Sequence, residues 1–202
     1  MTERGPKART RRLMLETASR LMQAGATPSV SEVAEAAGVS RATAYRYFPT
    51  QAALVDAVVE QALGPILNWT SRSEDAAERV ADLLRTSLPR IDRFEATFKA
   101  ALKLSLDQWS RRQAGALDGE VPFMRGHRRD VLREALAPVR AKLPKKEAER
   151  LAQALSLVFG IEALVVLKDI WGLTSRQSEG VAVWAATALV GAAISANRER
   201  GK

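Results

Sequence analysis

Apolar residues return every three or four positions along nearly the whole chain, and no alternating apolar and polar run extends beyond a few residues, so the pattern predicts helices throughout. Met14, Ala18, Leu21, Met22 and Gly25 share one face of a first helix over residues 10–24, which Gly25 ends. Ser29 with Glu32 three residues on fits a capping box, in which each side chain satisfies a backbone donor orphaned at a helix start, and Val33 and Ala37 give the short second helix its inner stripe. Gly38 breaks that helix, Val39 offers an apolar plug, and Ser40 is a natural N-cap for a third. Helix, tight glycine-containing turn, helix is the order of a helix-turn-helix. A fourth helix buries Leu54, Val55, Val58 and Val59 and stops at Gly64-Pro65. Longer helices are predicted over 74–88, 91–112, 124–142, 145–171 and 175–198, separated by Pro89, residues 115–122, Leu143-Pro144 and residues 171–175. Thr174 and Gln177 repeat the capping-box spacing at the last start.

The expected fold is all-α with about nine helices. Residues 1–9 form a flexible basic arm, 10–50 a three-helix helix-turn-helix domain, 51–63 a connecting helix and 64–202 a larger helical domain for an effector and for dimerisation.

The third helix contains both tyrosines of the chain. At ~100° per residue, Ala44 and Phe48 fall together on the core side, Ala42, Thr43 and Arg46 on the opposite side, with Arg41 and Tyr45 on one flank and Tyr47 on the other. The tyrosines then border the exposed face, where a ring can pack inward while its hydroxyl reaches a phosphate oxygen. Two rings packed as ordinary core is the competing reading. Small Ala42 and Thr43 let the helix approach base edges in a major groove.

Charge adds a partner. The net charge is +8, and half of it comes from residues 1–12, where Arg4, Lys7, Arg9, Arg11 and Arg12 face only Glu3. Basic blocks of this kind serve as arms for nucleic acid, or as solvated tails. The chain has no cysteine and one histidine. With no phosphate-binding glycine loop and no metal-ligand spacing, the sequence offers no catalytic or metal site and implies no cofactor. The longest uncharged run, residues 180–196, is alanine-rich and shorter than the ~20 strongly apolar residues of a membrane span, so a soluble cytoplasmic protein is expected.

The stretch VSEVAEAAGVSRATAYRYFPTQAALVDAV resembles the tetracycline-repressor (TetR) family of bacterial transcriptional regulators: a small helix, AGVS, a recognition helix ending in YRYF, and a following helix opened by a short polar turn. The likeness covers roughly residues 10 to 60; the remainder agrees in helix number and length. It implies that Arg41 reads a base edge, that Ala42 lies against a base, and that Thr43, Tyr45 and Tyr47 hold phosphates, with Ser40 and Arg46 on the same surface. Ser31 stands where the family often has a longer side chain. Gln51 replaces the family's usual lysine, leaving the backbone N–H groups of that helix start for phosphate.

One recognition unit reads few base pairs, so two copies on a palindromic operator are expected. Residues 151–172 are apolar on nearly all sides, and Ala182, Ala186, Ala188, Gly191, Ala192 and Ala193 would let helix backbones approach closely. In the family such a pair forms a four-helix bundle with its copy; an internal hairpin is the alternative. Phe94, Phe98, Leu102 and Trp109, with Phe159 and Glu162, are candidates to line an effector pocket, although the same stripe could be plain core and Glu162 could pair with an arginine. The sequence thus points to a homodimeric repressor released from its operator by a small, largely apolar ligand. Its alternative is a DNA-binding or architectural protein without an effector.

Overall fold

The computed structural model describes residues 5–116, 123, 126–140 and 142–200. Among them there are eleven α-helices and no strand: α1 Pro6–Gln23, α2 Val30–Ala36, α3 Arg41–Tyr47, α4 Gln51–Leu63, α5 Ala76–Arg93, α6 Glu95–Gln113, α7 Arg128–Ala135, α8 Ala137–Arg140, α9 Lys145–Leu155, α10 Ile161–Leu164 and α11 Ser175–Arg200. A 3-10 turn, Gly64–Asn68, follows α4, and α10 runs into a π-helical segment, Val165–Ile170. The chain divides into two compact units, Met1–Ala62 with Phe94–Met124, and Leu63–Arg93 with Arg125–Lys202.

In the first unit Met14, Ala18, Met22, Val33, Ala44, Leu54 and Val55 are fully buried where the pattern placed them, and Ala34 joins them. Leu21 and Ala37, expected on the same inner stripes, are half-buried, and Gly25 is exposed because α1 has already ended at Gln23. The first helix begins at Pro6, earlier than expected, so the flexible arm assigned to residues 1–9 does not hold over 6–9. A proline suits the first helical position, because the N–H it lacks would have no partner there. The Thr10 hydroxyl donates to the Pro6 carbonyl at 3.1 Å. Lys7, Arg9, Arg11 and Arg12 therefore ride on a helix; Arg4 lies outside the described residues. α6, expected in the larger domain, clusters with this unit instead, packed on α1. Gln23 Nε2 donates to the buried Thr97 hydroxyl at 3.1 Å.

The second unit departs from the expected helix boundaries in three places. α5 runs through Pro89, where the sequence predicts a break. Leu83, Leu84, Leu88 and Ile91 are buried on both sides of the proline, and burying each such side chain is worth ~1.5–3 kcal/mol against a cost of ~3 for an interior proline. The helix over 124–142 resolves into α7 and α8, parted at Leu136; residues 124, 125 and 141 lie outside the described set.

The helix over 145–171 is broken at Gly160, whose φ of 127° is left-handed. The break is held by Arg128. Its guanidinium lies 3.1 Å from where a Cβ on Gly160 would sit and donates at 3.1 Å to the carbonyls of Ser156 and Phe159 and at 2.7 Å to the Glu162 carboxylate. One cation thereby satisfies carbonyls that the ended helix leaves open.

α11 lies chiefly against α5, burying Ser178, Ala182, Ala186 and Val190 along one face. It is the one helix among the described residues long and apolar enough, by length and composition, to cross a membrane.

Candidate nucleic-acid interface

α2 and α3 are set against each other by three local devices. The capping box forms as expected: Ser29 Oγ accepts the Glu32 N–H at 3.2 Å, and Glu32 Oε2 accepts the Ser29 N–H at 2.6 Å. That backbone bond from Ser29 holds the Glu32 carboxyl below the usual range. At the other end, the Gly38 N–H donates to Glu35 O at 3.1 Å and the Val39 N–H to Ala34 O at 2.9 Å. This paired closure needs left-handed backbone at its turning residue, and glycine supplies it at φ 64°. Ser40 then caps α3, accepting the Thr43 N–H at 3.3 Å and donating to Thr43 Oγ1 at 3.0 Å. Because the threonine oxygen accepts, its own proton is left to point elsewhere.

α3 turns as its spacing predicted. Ala44 and Phe48 are buried, Arg41, Ala42 and Arg46 are exposed, and Thr43 and Tyr47 are half-buried. Tyr45 is 45% exposed, with its hydroxyl at the surface, so neither tyrosine is core filling. The Tyr45 and Ser31 hydroxyls lie 3.2 Å apart and share one hydrogen bond. Short Ser31 thus fixes the tyrosine ring instead of reaching outward. The Arg46 guanidinium sits 5.6 Å from the Tyr47 ring centroid, within cation–π range. Arg11 of α1 lies 5.5 Å from the Phe48 ring centroid, which brings part of the N-terminal basic charge beside the end of α3.

Gln51 opens α4, but its side chain does not face outward. Its amide donates to the carbonyls of Thr27 at 2.9 Å and Pro28 at 3.1 Å, pinning the α1–α2 loop to the start of α4. Thr50 Oγ1 accepts the Ala53 N–H at 3.1 Å and so caps that helix.

The residues expected to line an effector pocket are divided between the units. Phe94, Phe98, Leu102 and Trp109 belong to the first, where the stripe passes from buried Phe98 through half-buried Leu102 to exposed Trp109. Phe159 and Glu162 belong to the second. Phe159 is buried there, and Glu162 is engaged by Arg128. Within neither unit do the six make one site. Sequence reasoning passed over Arg128 and Thr50; the signals were a glycine inside an apolar run and a threonine after a proline.

Residues 14–58 match the family model described as bacterial regulatory proteins, tetR family. No curated protein is significantly similar in sequence. Two solved structures share the fold. A TetR transcriptional regulator from Rhodococcus sp. RHA1 superposes with a TM-score of 0.60 at 21% identity, over 92% of this chain and 97% of its own. A tetR-family transcriptional regulator from Streptomyces coelicolor does so with a TM-score of 0.63 at 18% identity, over 96% and 85%. The serine-capped α3 lies inside the matched segment, so residues 14–58 are similar to the DNA-binding segment of that family, and the two solved structures show the fold over most of the chain.

Proposed function

We propose that the chain is a homodimeric repressor that reads a palindromic operator with two copies of α3 and leaves it when a small ligand binds. The observation that carries the DNA half is the outer surface of α3. Two cations, Arg41 and Arg46, flank small Ala42, with a surface tyrosine hydroxyl beside them, so phosphates and base edges both find partners. Arg41 reads a base, most simply guanine through two parallel hydrogen bonds, and Ala42 leaves room for a thymine methyl. Thr43, Tyr45 and Tyr47 hold phosphates. Lys7, Arg9, Arg11 and Arg12, carried on α1, add salt-dependent affinity.

Selection of bound fragments from random duplexes tests this reading. A two-fold symmetric consensus is the expected outcome, and a consensus without symmetry rejects dimeric readout. On the selected site, Arg41→Ala costs ~1–3 kcal/mol and relaxes preference at one position in each half-site. Equal losses on operator and random DNA would reduce Arg41 to a phosphate contact.

The dimer half is supported by apolar surface on the second unit, where Leu157, Ile170, Trp171 and Trp184 are each more than 70% exposed in the single chain. Patches of that kind mark protein contacts. For the ligand half, release requires only that the effector bind one state of the dimer better than the other. A bound ligand raises the melting temperature by mass action, so a thermal-shift screen with apolar metabolites separates an effector-released repressor from an effector-independent DNA-binding protein.

A further inference from the structure

We infer that Ser31 is a positioning residue for DNA binding: its hydroxyl donates to the Tyr45 hydroxyl oxygen and so turns the tyrosine proton outward, toward a phosphate oxygen. This rests on the reading of α3 as the operator-contacting helix and adds to it a residue of α2 that acts through another side chain. The two oxygens lie 3.2 Å apart. Ser31 is half-buried in the first turn of α2, and Tyr45 is exposed on α3. The bond therefore joins the surfaces of two helices.

The count of protons sets what the pair can do. Two hydroxyls carry two protons, and their shared bond uses one. Among the described residues neither oxygen has another partner, so the second proton is left for the outside. In the free protein either oxygen can be the donor. A phosphate oxygen removes that choice, because it only accepts. An aromatic hydroxyl is a better donor than an aliphatic one, and Tyr45 is the more exposed of the two. Phosphate thus takes the tyrosine proton, and the serine proton closes onto the tyrosine oxygen. Hydrogen bonds chained in this way polarise one another, which strengthens the outer one.

Local structure makes Ser31 available for the task. A helical serine often turns its proton back to the carbonyl four residues earlier. Here that carbonyl belongs to Thr27 and receives the Gln51 amide at 2.9 Å. The neighbouring Glu32 carboxylate is held by the Ser29 N–H at 2.6 Å. A short serine costs little to hold still, whereas a tyrosine left loose would have to be ordered when DNA binds.

The test is a double-mutant cycle in the full chain on the selected operator, with Ser31→Ala, Tyr45→Phe and the two together. Ser31→Ala is expected to weaken binding about tenfold in a complex where each substitution enters twice. Tyr45→Phe should weaken it about a hundredfold, since it removes the phosphate bond itself. The double variant should bind as Tyr45→Phe does, because without the tyrosine oxygen the serine proton has nothing to act through. Base preference and the slope of log affinity against log salt should stay as in the wild type, as no cation is lost. A further loss when Ser31→Ala is added to Tyr45→Phe overturns the inference, for Ser31 would then act by holding α2 against α3 or by touching DNA itself. Wild-type affinity in either single variant, or a reduced salt slope in Ser31→Ala, overturns it as well. A wild-type chain that selects no palindrome, or an Arg41→Ala variant that loses nothing on the selected site, defeats instead the operator reading beneath it.

Discussion

Trp184→Glu is expected to convert the proposed homodimer into a monomer and to lower affinity for the proposed operator on the order of a thousandfold. Trp184 is 71% exposed on α11, beside Val181, a helical turn away on the same outward face, and Ala188, Gly191 and Ala192 continue that face with side chains too small to hold a neighbouring helix away. α11 also packs against α9 and the 165–170 segment, whose exposed Val166 and Ile170 extend the apolar surface. A buried tryptophan removes ~150–250 Å² from water. In a two-fold interface every substitution enters twice, so Trp184→Glu trades two such burials for two carboxylates without partners, each costing several kcal/mol.

Loss of the dimer leaves one α3 for one half-site, and affinity then approaches the non-specific range, which lies ~10³–10⁷ below specific binding. Sedimentation should report a 22.0 kDa particle in place of one twice that mass. Trp184 is not part of the core of its own chain, so helix content should survive, and Trp184→Phe should remain dimeric. A Trp184→Glu protein that stays dimeric and holds its operator as tightly as the wild type would exclude α11 from the interface.

How far the sequence could be read depended on whether a feature was decided locally. The α2–α3 pair was legible in detail because each step in it is set by neighbours a few residues away: Ser29 with Glu32, Gly38 with Val39, Ser40 with Thr43. The inward turn of Ala44 and Phe48 and the outward turn of Arg41 and Arg46 follow from the helical period alone, and the structure reproduces both.

What escaped was decided at long range. Nothing near Pro89 shows that burial along α5 will carry a helix through it. Nothing near Gly160 shows that an arginine 32 positions earlier will hold the chain broken there. Gln51, read as a loss of charge at a phosphate contact, proves to tie two segments together, because an amide can donate to carbonyls that lie 23 and 24 residues away in sequence. The N-terminal cations read as an arm because charge patterning reports mobility or a solvated helix equally well. Pro6 was the signal that favoured the helix.

Arg79 is the clearest case of a residue whose importance is invisible in sequence, and Arg79→Ala should lower stability by ~3–5 kcal/mol. This arginine is 5% exposed, inside the second unit. Its Nε donates to Ala135 O at 3.1 Å, one terminal nitrogen to Ser71 O at 2.5 Å and Ser73 O at 3.3 Å, and the other to Glu134 O at 2.7 Å and the Glu134 carboxylate at 2.9 Å. The guanidinium also lies 5.6 Å from the ring centroid of Trp69, whose indole N–H is held by Asp82 at 2.9 Å. A single side chain therefore satisfies the C-terminal carbonyls of α7 and the carbonyls of the segment leading into α5.

Glu134 is half exposed, and the ion pair itself contributes little after screening by water. The cost of truncation comes from the carbonyls left buried without donors, ~1–3 kcal/mol for each group that water does not reach, and from the cavity. Lysine cannot replace it, since three donors on one nitrogen cannot reach carbonyls spread over a planar fork. Urea unfolding of Arg79→Ala and Arg79→Lys should give lowered midpoints in both, with the lysine variant recovering less than half of the loss. Because Arg79 and all its partners lie in the second unit, DNA affinity per folded molecule should be unaffected below the transition. A wild-type midpoint in Arg79→Ala would mean that water serves these carbonyls as well as the guanidinium does.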